Sequence, residues 1–392
     1  MDAQERIVAE SQKVLIENYG RLPIAMVRGE ISRIWDANGK EYLDFFAGFG
    51  GGGIGGHCHP AITAAIKAQA DVLLSHGNLL TSHPQVELAG KIVQHGFGGK
   101  VFFCHSGAEA DEAALKLCRL AAGEGRYKII SFDGCFHGRT MGGLSLSPES
   151  FQKGFEPMLP GNAKATYGDL ASVEALIDDE TAGVFVEPIQ GEGGLNVPSV
   201  EFMQGLRKLC DDNNLLLVCD EVWTGPARTG QWYAYQHFGI EPDAMCLAKA
   251  LGGGAPVAAM VAAPRYADVL VPGTHGCTMG GNPLCAAAGA AAMRLVEEEN
   301  LVQRAAEKGE YIARRLADAN ISCIEDIRGK GLMIGAKLEE SRPAKQVMLD
   351  CLDRGLILCI AKNNVVRVAP PLVVSDDDLD QGLDIAIDVL KS

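Results

Sequence analysis

The stretch CLAKALGGGAP, Cys246–Pro256, continues from Ala244 and Met245 as an apolar run that reaches Lys249 and then breaks into Gly252, Gly253 and Gly254. A short apolar run closed by glycines reads as a buried strand. A charged ammonium at its end costs several kcal/mol unless it is paired or neutralised. Two readings follow: a surface lysine at a strand–loop junction, or a lysine that gives up its charge by condensing with a carbonyl compound.

Similar runs recur at Val101–Cys104, Lys128–Phe132, Gly183–Val186, Leu215–Cys219 and Ala258–Ala262, with helical patterns such as AEADEAALKLCRLAA and VEFMQGLRKLCDDNN between them. This alternation predicts an α/β fold, a mostly parallel sheet with helices on both faces. In such sheets ligands collect at the carboxyl ends of the strands. The two ends of the chain differ from the middle. ISRIWDANGKEYLDF places an Asn38–Gly39 turn between strand-like flanks, a hairpin signal. From about residue 290 a long helical pattern leads to CIEDIRGKGLMIGAKL, a helix around Gln346–Arg354, two short strands, and a last helix opened by Ser375 with acidic residues in its first turn. Residues 46–290 are expected to form a large domain, with 1–45 and 291–392 combining as a smaller α/β domain.

With 392 residues, 47% of them hydrophobic, the chain can fill two cores. Its net charge of −15 argues against nucleic acid or an anionic membrane as a partner. The first residues, MDAQERIVAE, are charged throughout and resemble neither a secretory signal nor a transit peptide. The apolar stretches are broken by Gly and Pro and are too short to span a bilayer. Twelve cysteines occur singly, many inside apolar runs, which points to a reduced, cytoplasmic protein using Cys as a small hydrophobe. HCH, His57–His59, puts alternate residues on opposite faces of an extended segment and has no second ligand cluster, so no metal site is expected.

CHSGAEADEAALKL follows a strand and opens a helix. Ser106 with Glu109 three residues on is a capping box. The same helix start leaves the N–H groups of Gly107 and Ala108 free to meet a phosphate, without the Gly-Lys-Ser/Thr of a Walker loop. LLLVCDEVWTG places Asp220 and Glu221 at the end of a buried strand, where two acids are ordinarily a metal site, a helix start or a catalytic pair; no metal partner is evident, and a carboxylate there can instead keep a heterocyclic nitrogen protonated. CFHGRT offers an aromatic face at Phe136 and a cation at Arg139, VFVEPIQGEGG ends a strand with Glu187, Gln190 and Glu192, and NNVVRVAP sets Arg367 in a strand. A lone strand arginine is ordinarily a structural pair. Two arginines converging on a cleft suit a dicarboxylate, which the guanidinium fork grips bidentately.

Taken in order, WDANGKEYLDF, GGHCHP, SGAEADEAALKL, FHGRT, VEPIQGEGG, DEVWTG, LAKALGGG, GTHGCTMGGNPL, RGKGLMIGAKL and VRVAPPL resemble the class III (ω-type) aminotransferases, pyridoxal-phosphate enzymes of fold type I, over nearly the whole chain. The compact length and RLPIAMVRGE look most like the acetylornithine branch. The resemblance implies that Lys249 forms the Schiff base and moves the substrate proton, and that Asp220 pairs with the pyridinium nitrogen. It implies that Phe136 and Val222 sandwich the ring, that Ser106, Gly107 and Ala108 hold the phosphate, and that Glu187 and Trp223 complete the cofactor site. Thr278 matches a threonine that reaches the phosphate of a neighbouring subunit, which implies a homodimer with shared sites. The implied reaction takes the amino group of an ω-amine, N-acetylornithine on this branch, and passes it to 2-oxoglutarate by way of pyridoxamine phosphate. Arg367 would bind the α-carboxylate, Glu192 would cover Arg367 while the ω-amine is bound, and Arg139 would take the distal carboxylate.

Several positions depart from the family's pattern. Trp223 replaces a usual glutamine, Ala250 a usual glycine, and Cys277, counted with the substrate-binding residues, stands where serine is common. GPARTG also departs from the pattern, as do GFGGGGIGG and GNLLTSHPQ, which lie where the family sets substrate selectivity. Ornithine, 4-aminobutyrate and succinyl-diaminopimelate are therefore alternative donors, and a fold-type-I aminomutase is an alternative activity that needs no external keto acid. From other classes, GFGGGG fits Gly-x-Gly-x-x-Gly, but it lacks the preceding strand and βαβ unit of a dinucleotide site. A non-catalytic binding protein would not need Lys249, Asp220 and both arginines together.

Overall fold

Period-2 alternation of side chains builds the main sheet. The computed structural model describes residues 1–392. After a helix at Ala3–Val14, strands β1 (Met26–Glu30), β2 (Arg33–Asp36) and β3 (Glu41–Asp44) pair antiparallel, with Gly39 at φ +86° in the β2–β3 turn. The large sheet comprises β4 (Lys100–Cys104), β5 (Lys128–Phe132), β6 (Asn162–Ala165), β7 (Thr181–Val186), β8 (Leu216–Asp220), β9 (Ala244–Leu247) and β10 (Ala258–Ala262). Its order is β4-β10-β9-β8-β7-β5-β6. Only β10 runs against the others, antiparallel to both β4 and β9.

Within β8, Leu217 and Cys219 pack on Phe202, Met203 and Leu206, while Leu216 and Val218 join Ala110, Ala113 and Leu117 of the helix Gly107–Ala122. Both faces are thus covered, which is why the inner strands read as near-continuous apolar runs rather than alternating. Each apolar run forms a strand, but details differ from the sequence reading, which also expects two short strands where the structure has three after residue 355. β6 was not foreseen: NAKA is a half-buried edge strand with no apolar run to announce it. β8 extends to include Asp220. The long helical pattern near residue 290 is two helices, Pro283–Glu298 and Leu301–Asp318, separated at Asn300, whose φ of +52° is a left-handed geometry that asparagine tolerates.

Strands β11 (Ile324–Lys330), β12 (Met333–Leu338), β13 (Leu356–Ile357), β14 (Cys359–Ala361) and β15 (Val365–Val368) complete the chain, followed by the helix Asp376–Lys391, capped by Ser375. β13 pairs in parallel with β3, so the two ends of the chain share one sheet, while β11-β12-β15-β14 form another. Arg228, 1% exposed, joins distant segments by donating to the carbonyls of Gly53, Leu332 and Pro370 at 2.6–3.0 Å. No helix is long and apolar enough to cross a membrane.

Candidate active site

Because β4, β5, β7, β8 and β9 run the same way, their carboxyl ends open on one rim. A cavity of about 480 Å³ lies there. Ser106, Gly107, Ala108, Phe136, Arg139, Glu187, Glu192, Asp220, Val222, Trp223 and Lys249 all line it.

Lys249 follows β9 and begins a short 3₁₀ turn with φ +45°. A non-glycine residue in that region is strained by about 1–3 kcal/mol. Its Nζ lies 5.5 Å from the Trp223 ring centroid. Burial pushes its pKa below the ordinary lysine value, and this outweighs the opposing pull of Asp220, Glu192 and Glu187. The shift makes the neutral, nucleophilic form of the amine easier to reach.

Asp220, 5% exposed, is the last residue of β8. Its Oδ1 accepts the Val222 N–H at 2.9 Å, and its Oδ2 lies 2.8 Å from His137 Nδ1. Burial alone would lower the His137 pKa, but Cys135 and Asp220 hold it well above its ordinary value. Glu221 points elsewhere and accepts the N–H groups of Ala234 and Tyr235 at 2.9 and 2.8 Å. The two adjacent acids therefore have different surroundings: one faces the cavity, the other ties down a loop.

Ser106 caps the helix Gly107–Ala122, accepting from Glu109 N, while Glu109 accepts from Ser106 N at 3.0 Å. The first N–H groups of the helix, with no partner inside it, present positive charge to the cavity. A Cβ placed on Gly107 would lie 2.7 Å from Val222 Cγ1, so this approach needs glycine. Glu187 accepts the N–H groups of Phe136 and Gly191 at 3.0 and 3.1 Å, and burial raises its pKa to about 8. The exposed Arg139 stacks its guanidinium 4.1 Å from the Phe151 ring centroid. Trp223, 9% exposed, leaves its indole Nε1 buried without a partner. A Cβ on Gly50 would come within 2.5 Å of that nitrogen.

Arg367 does not line the cavity. It is 2% exposed on β15, with Nη1 2.8 Å from Glu192 Oε1 and its guanidinium 4.8 Å from the Trp223 ring. Cys277 and the exposed Thr278 also lie outside the lining; Cys277 Sγ is 3.3 Å from His105 Nδ1. His57 pairs with Asp44 at 2.8 Å, and His59 accepts Ala61 N at 3.3 Å, so each histidine of HCH has a structural partner. The glycine run Gly50–Gly53 forms turns, and Gly51 borders the same cavity. Two further residues of the site, His137 and Asp111, carry weak signals in the sequence. His137 was visible inside FHGRT, whereas nothing local marks Asp111 as facing Asp220.

The donor set fits pyridoxal phosphate. It has a helix start for a dianion, a carboxylate fixed by two donors for a ring nitrogen, apolar surfaces at Phe136 and Val222, a free amine, and an unpartnered indole N–H. The sequence profile described as Aminotransferase class-III matches residues 15–390. The chain belongs to the class-III aminotransferases. The acetylornithine aminotransferase of Methanopyrus kandleri is 44% identical over 396 residues, covering 100% of both chains. That of Caldanaerobacter subterraneus subsp. tengcongensis is 42% identical over 392 residues, covering 98% of this chain and 99% of the relative. Among solved structures, the ornithine aminotransferase of Toxoplasma gondii, described with partial occupancy of PLP at its active site, has a TM-score of 0.94 at 32% identity, over 100% of this chain and 95% of that one. The acetylornithine aminotransferase of Elizabethkingia anophelis has a TM-score of 0.87 at 32% identity, over 100% and 99%. This class-III aminotransferase is a pyridoxal-phosphate-dependent transaminase of fold type I.

Proposed function

We propose that this aminotransferase moves the ω-amino group of N-acetylornithine to 2-oxoglutarate. The observation that carries this reading is full-length identity of 40–44% to four acetylornithine aminotransferases. Bound in the cavity, pyridoxal phosphate supplies an electron sink for the carbon that loses its proton. Lys249 is the residue that would hold the cofactor covalently and then, once free, carry that proton as base and acid. Asp220, fixed by Val222 N and His137, would keep the ring nitrogen protonated. Ser106, Gly107 and Ala108 would hold the phosphate, Phe136 and Val222 the ring faces, and Glu187 the loop that carries Phe136. The indole N–H of Trp223 is free to donate to the cofactor.

Arg139, without a carboxylate partner and at the cavity wall, suits the distal carboxylate of either substrate. Arg367, covered by Glu192, suits the α-carboxylate of glutamate once Glu192 swings away. A second reading, ornithine as donor, is favoured by the likeness to the Toxoplasma gondii ornithine aminotransferase. Rates for acetylornithine, ornithine, 4-aminobutyrate and succinyl-diaminopimelate with 2-oxoglutarate decide between them. Acetylornithine is expected to give the highest kcat/KM, and turnover without any keto acid would reveal an aminomutase instead.

The proposed active unit is a homodimer in which Thr278 serves the partner's phosphate and Cys277 stands near the shared entrance. Exposed Val72, Leu74, Leu79 and Leu80, on the segment whose Asn78 binds the Cys277 carbonyl at 2.9 Å, support a partner surface there. Segments 1–45 and 291–392 are proposed to act as one smaller unit against 46–290, supported by the β3–β13 pairing. Twelve unpaired cysteines support a reducing compartment, the cytoplasm.

A further inference from the structure

Asp111 sits one turn into the helix Gly107–Ala122, 2% exposed, on the wall of the cavity. It faces Asp220 and His137, and one ligating atom from each of the three lies within 4.8 Å of the others. Two carboxylates this close and this dry cannot both be ionised at low cost. The hydrogen bonds decide which one holds the charge. Asp220 receives two donors, Val222 N and His137 Nδ1. Asp111 Oδ1 is buried with no partner at all. A carboxylate in that position would leave a charge unsatisfied, whereas a carboxylic acid carries a proton of its own to donate.

We propose that Asp111 is kept as the neutral acid and is a positioning residue, sharing its proton with Asp220 and so tempering the negative charge that Asp220 presents to the cofactor's ring nitrogen. Its surroundings agree. The groups around it are Asp220 from β8, Cys246 from β9, Cys104 from β4 and His137 from the loop after β5. Burial, reinforced by the Asp220 charge, pushes the Asp111 pKa well above the ordinary carboxylate value, and His137 opposes this only in part. The arrangement puts one anion between two donors, His137 on one side and Asp111 on the other. It fixes the orientation of Asp220 by hydrogen bonds rather than by a second charge. This inference rests on the assignment of Asp220 to the ring nitrogen.

The test uses the holoenzyme of wild type, Asp111→Asn and Asp111→Leu, with two readouts besides turnover. Infrared difference spectra between wild type and D111N are expected to show a protonated-carboxyl C=O band that the variant lacks. In the pH titration of the bound cofactor's visible absorbance, D111N replaces a neutral donor by a neutral donor, so its midpoint is expected within about 0.3 unit of wild type. D111L fills the space but donates nothing, so the carboxylate facing the ring loses a donor and the cofactor's midpoint rises by about half a unit. An ionised Asp111 would instead give no such band and a D111N midpoint lower by about one unit or more, since a buried negative charge has been removed. That result overturns the proposal, and so does a D111L midpoint equal to wild type, which would make Asp111 a space-filler. If D111N fails to load cofactor, Asp111→Ser is titrated in its place. Asp220→Asn separates the two claims. Unchanged cofactor affinity and absorbance in D220N would refute the Asp220 assignment, while the infrared band reports Asp111 regardless.

Discussion

Replacing Glu192 by alanine uncovers Arg367, and the size of the effect follows from the pair itself. Arg367 is 2% exposed, and its Nη1 lies 2.8 Å from Glu192 Oε1. Its other supports include Cys359 Sγ at 2.9 Å and the Trp223 ring at 4.8 Å, neither of which matches the charge of a carboxylate. Two unit charges about 4 Å apart attract by about 4 kcal/mol at an effective dielectric of about 20. The Glu192 side chain is 36% exposed, so solvent screening cuts this to about 1–2 kcal/mol. That is the energy with which Glu192 competes against an incoming carboxylate. Removing it should tighten glutamate and 2-oxoglutarate about 10-fold. The same change should slow the ω-amine half-reaction by a similar factor, because a desolvated guanidinium then faces an apolar chain. Arg367→Ala should do the reverse, with glutamate losing a charged contact worth about 2–5 kcal/mol. Single-turnover absorbance changes, recorded for each half-reaction separately, read these effects without mixing them. Equal losses in both halves for both variants would refute the reasoning and leave the pair as a structural tie between β15 and the loop after β7.

Lys249→Ala should lower turnover by at least about 10²–10⁴ through loss of the proton carrier, and borohydride reduction of wild type followed by peptide mapping should label Lys249 and no other lysine. Gly107→Ala would bring a Cβ within 2.7 Å of Val222 Cγ1; an overpacking cost of about 1–3 kcal/mol should appear as cofactor affinity weaker by 10-fold or more in a fluorescence titration of the apoprotein. The neutral amine is the reactive form of Lys249 and burial lowers its pKa, so the rate of pyridoxal-phosphate capture should rise with pH and level off below the ordinary 10.5; a plateau at or above that value counts against a desolvated lysine. Co-expressed Lys249→Ala and Thr278→Ala chains should form hybrids with one site carrying both lesions and one carrying neither, and an active monomer in sedimentation would exclude shared sites.

Local chemistry determined much of this molecule. The runs at Lys128–Phe132 and Ala258–Ala262 form strands at those same bounds because a strand covered on both faces is mostly apolar on both. Ser106 with Glu109, and Asn38–Gly39, act over three or four residues, so a capping box and a turn were readable without any partner. What a residue faces across the chain was not readable. The antiparallel course of β10 and the edge strand β6 depend on which neighbours the sheet supplies, and NAKA has no pattern of its own. Arg367 and Glu192 are 175 residues apart, and the pair exists only because β15 packs beside the loop after β7. His137 and Asp220 are 83 residues apart, and the contact of both with Asp111 needs three separate elements to converge at one rim. A sequence states which groups can ionise; the burial and donors that decide which of two aspartates keeps its proton are set by tertiary packing alone.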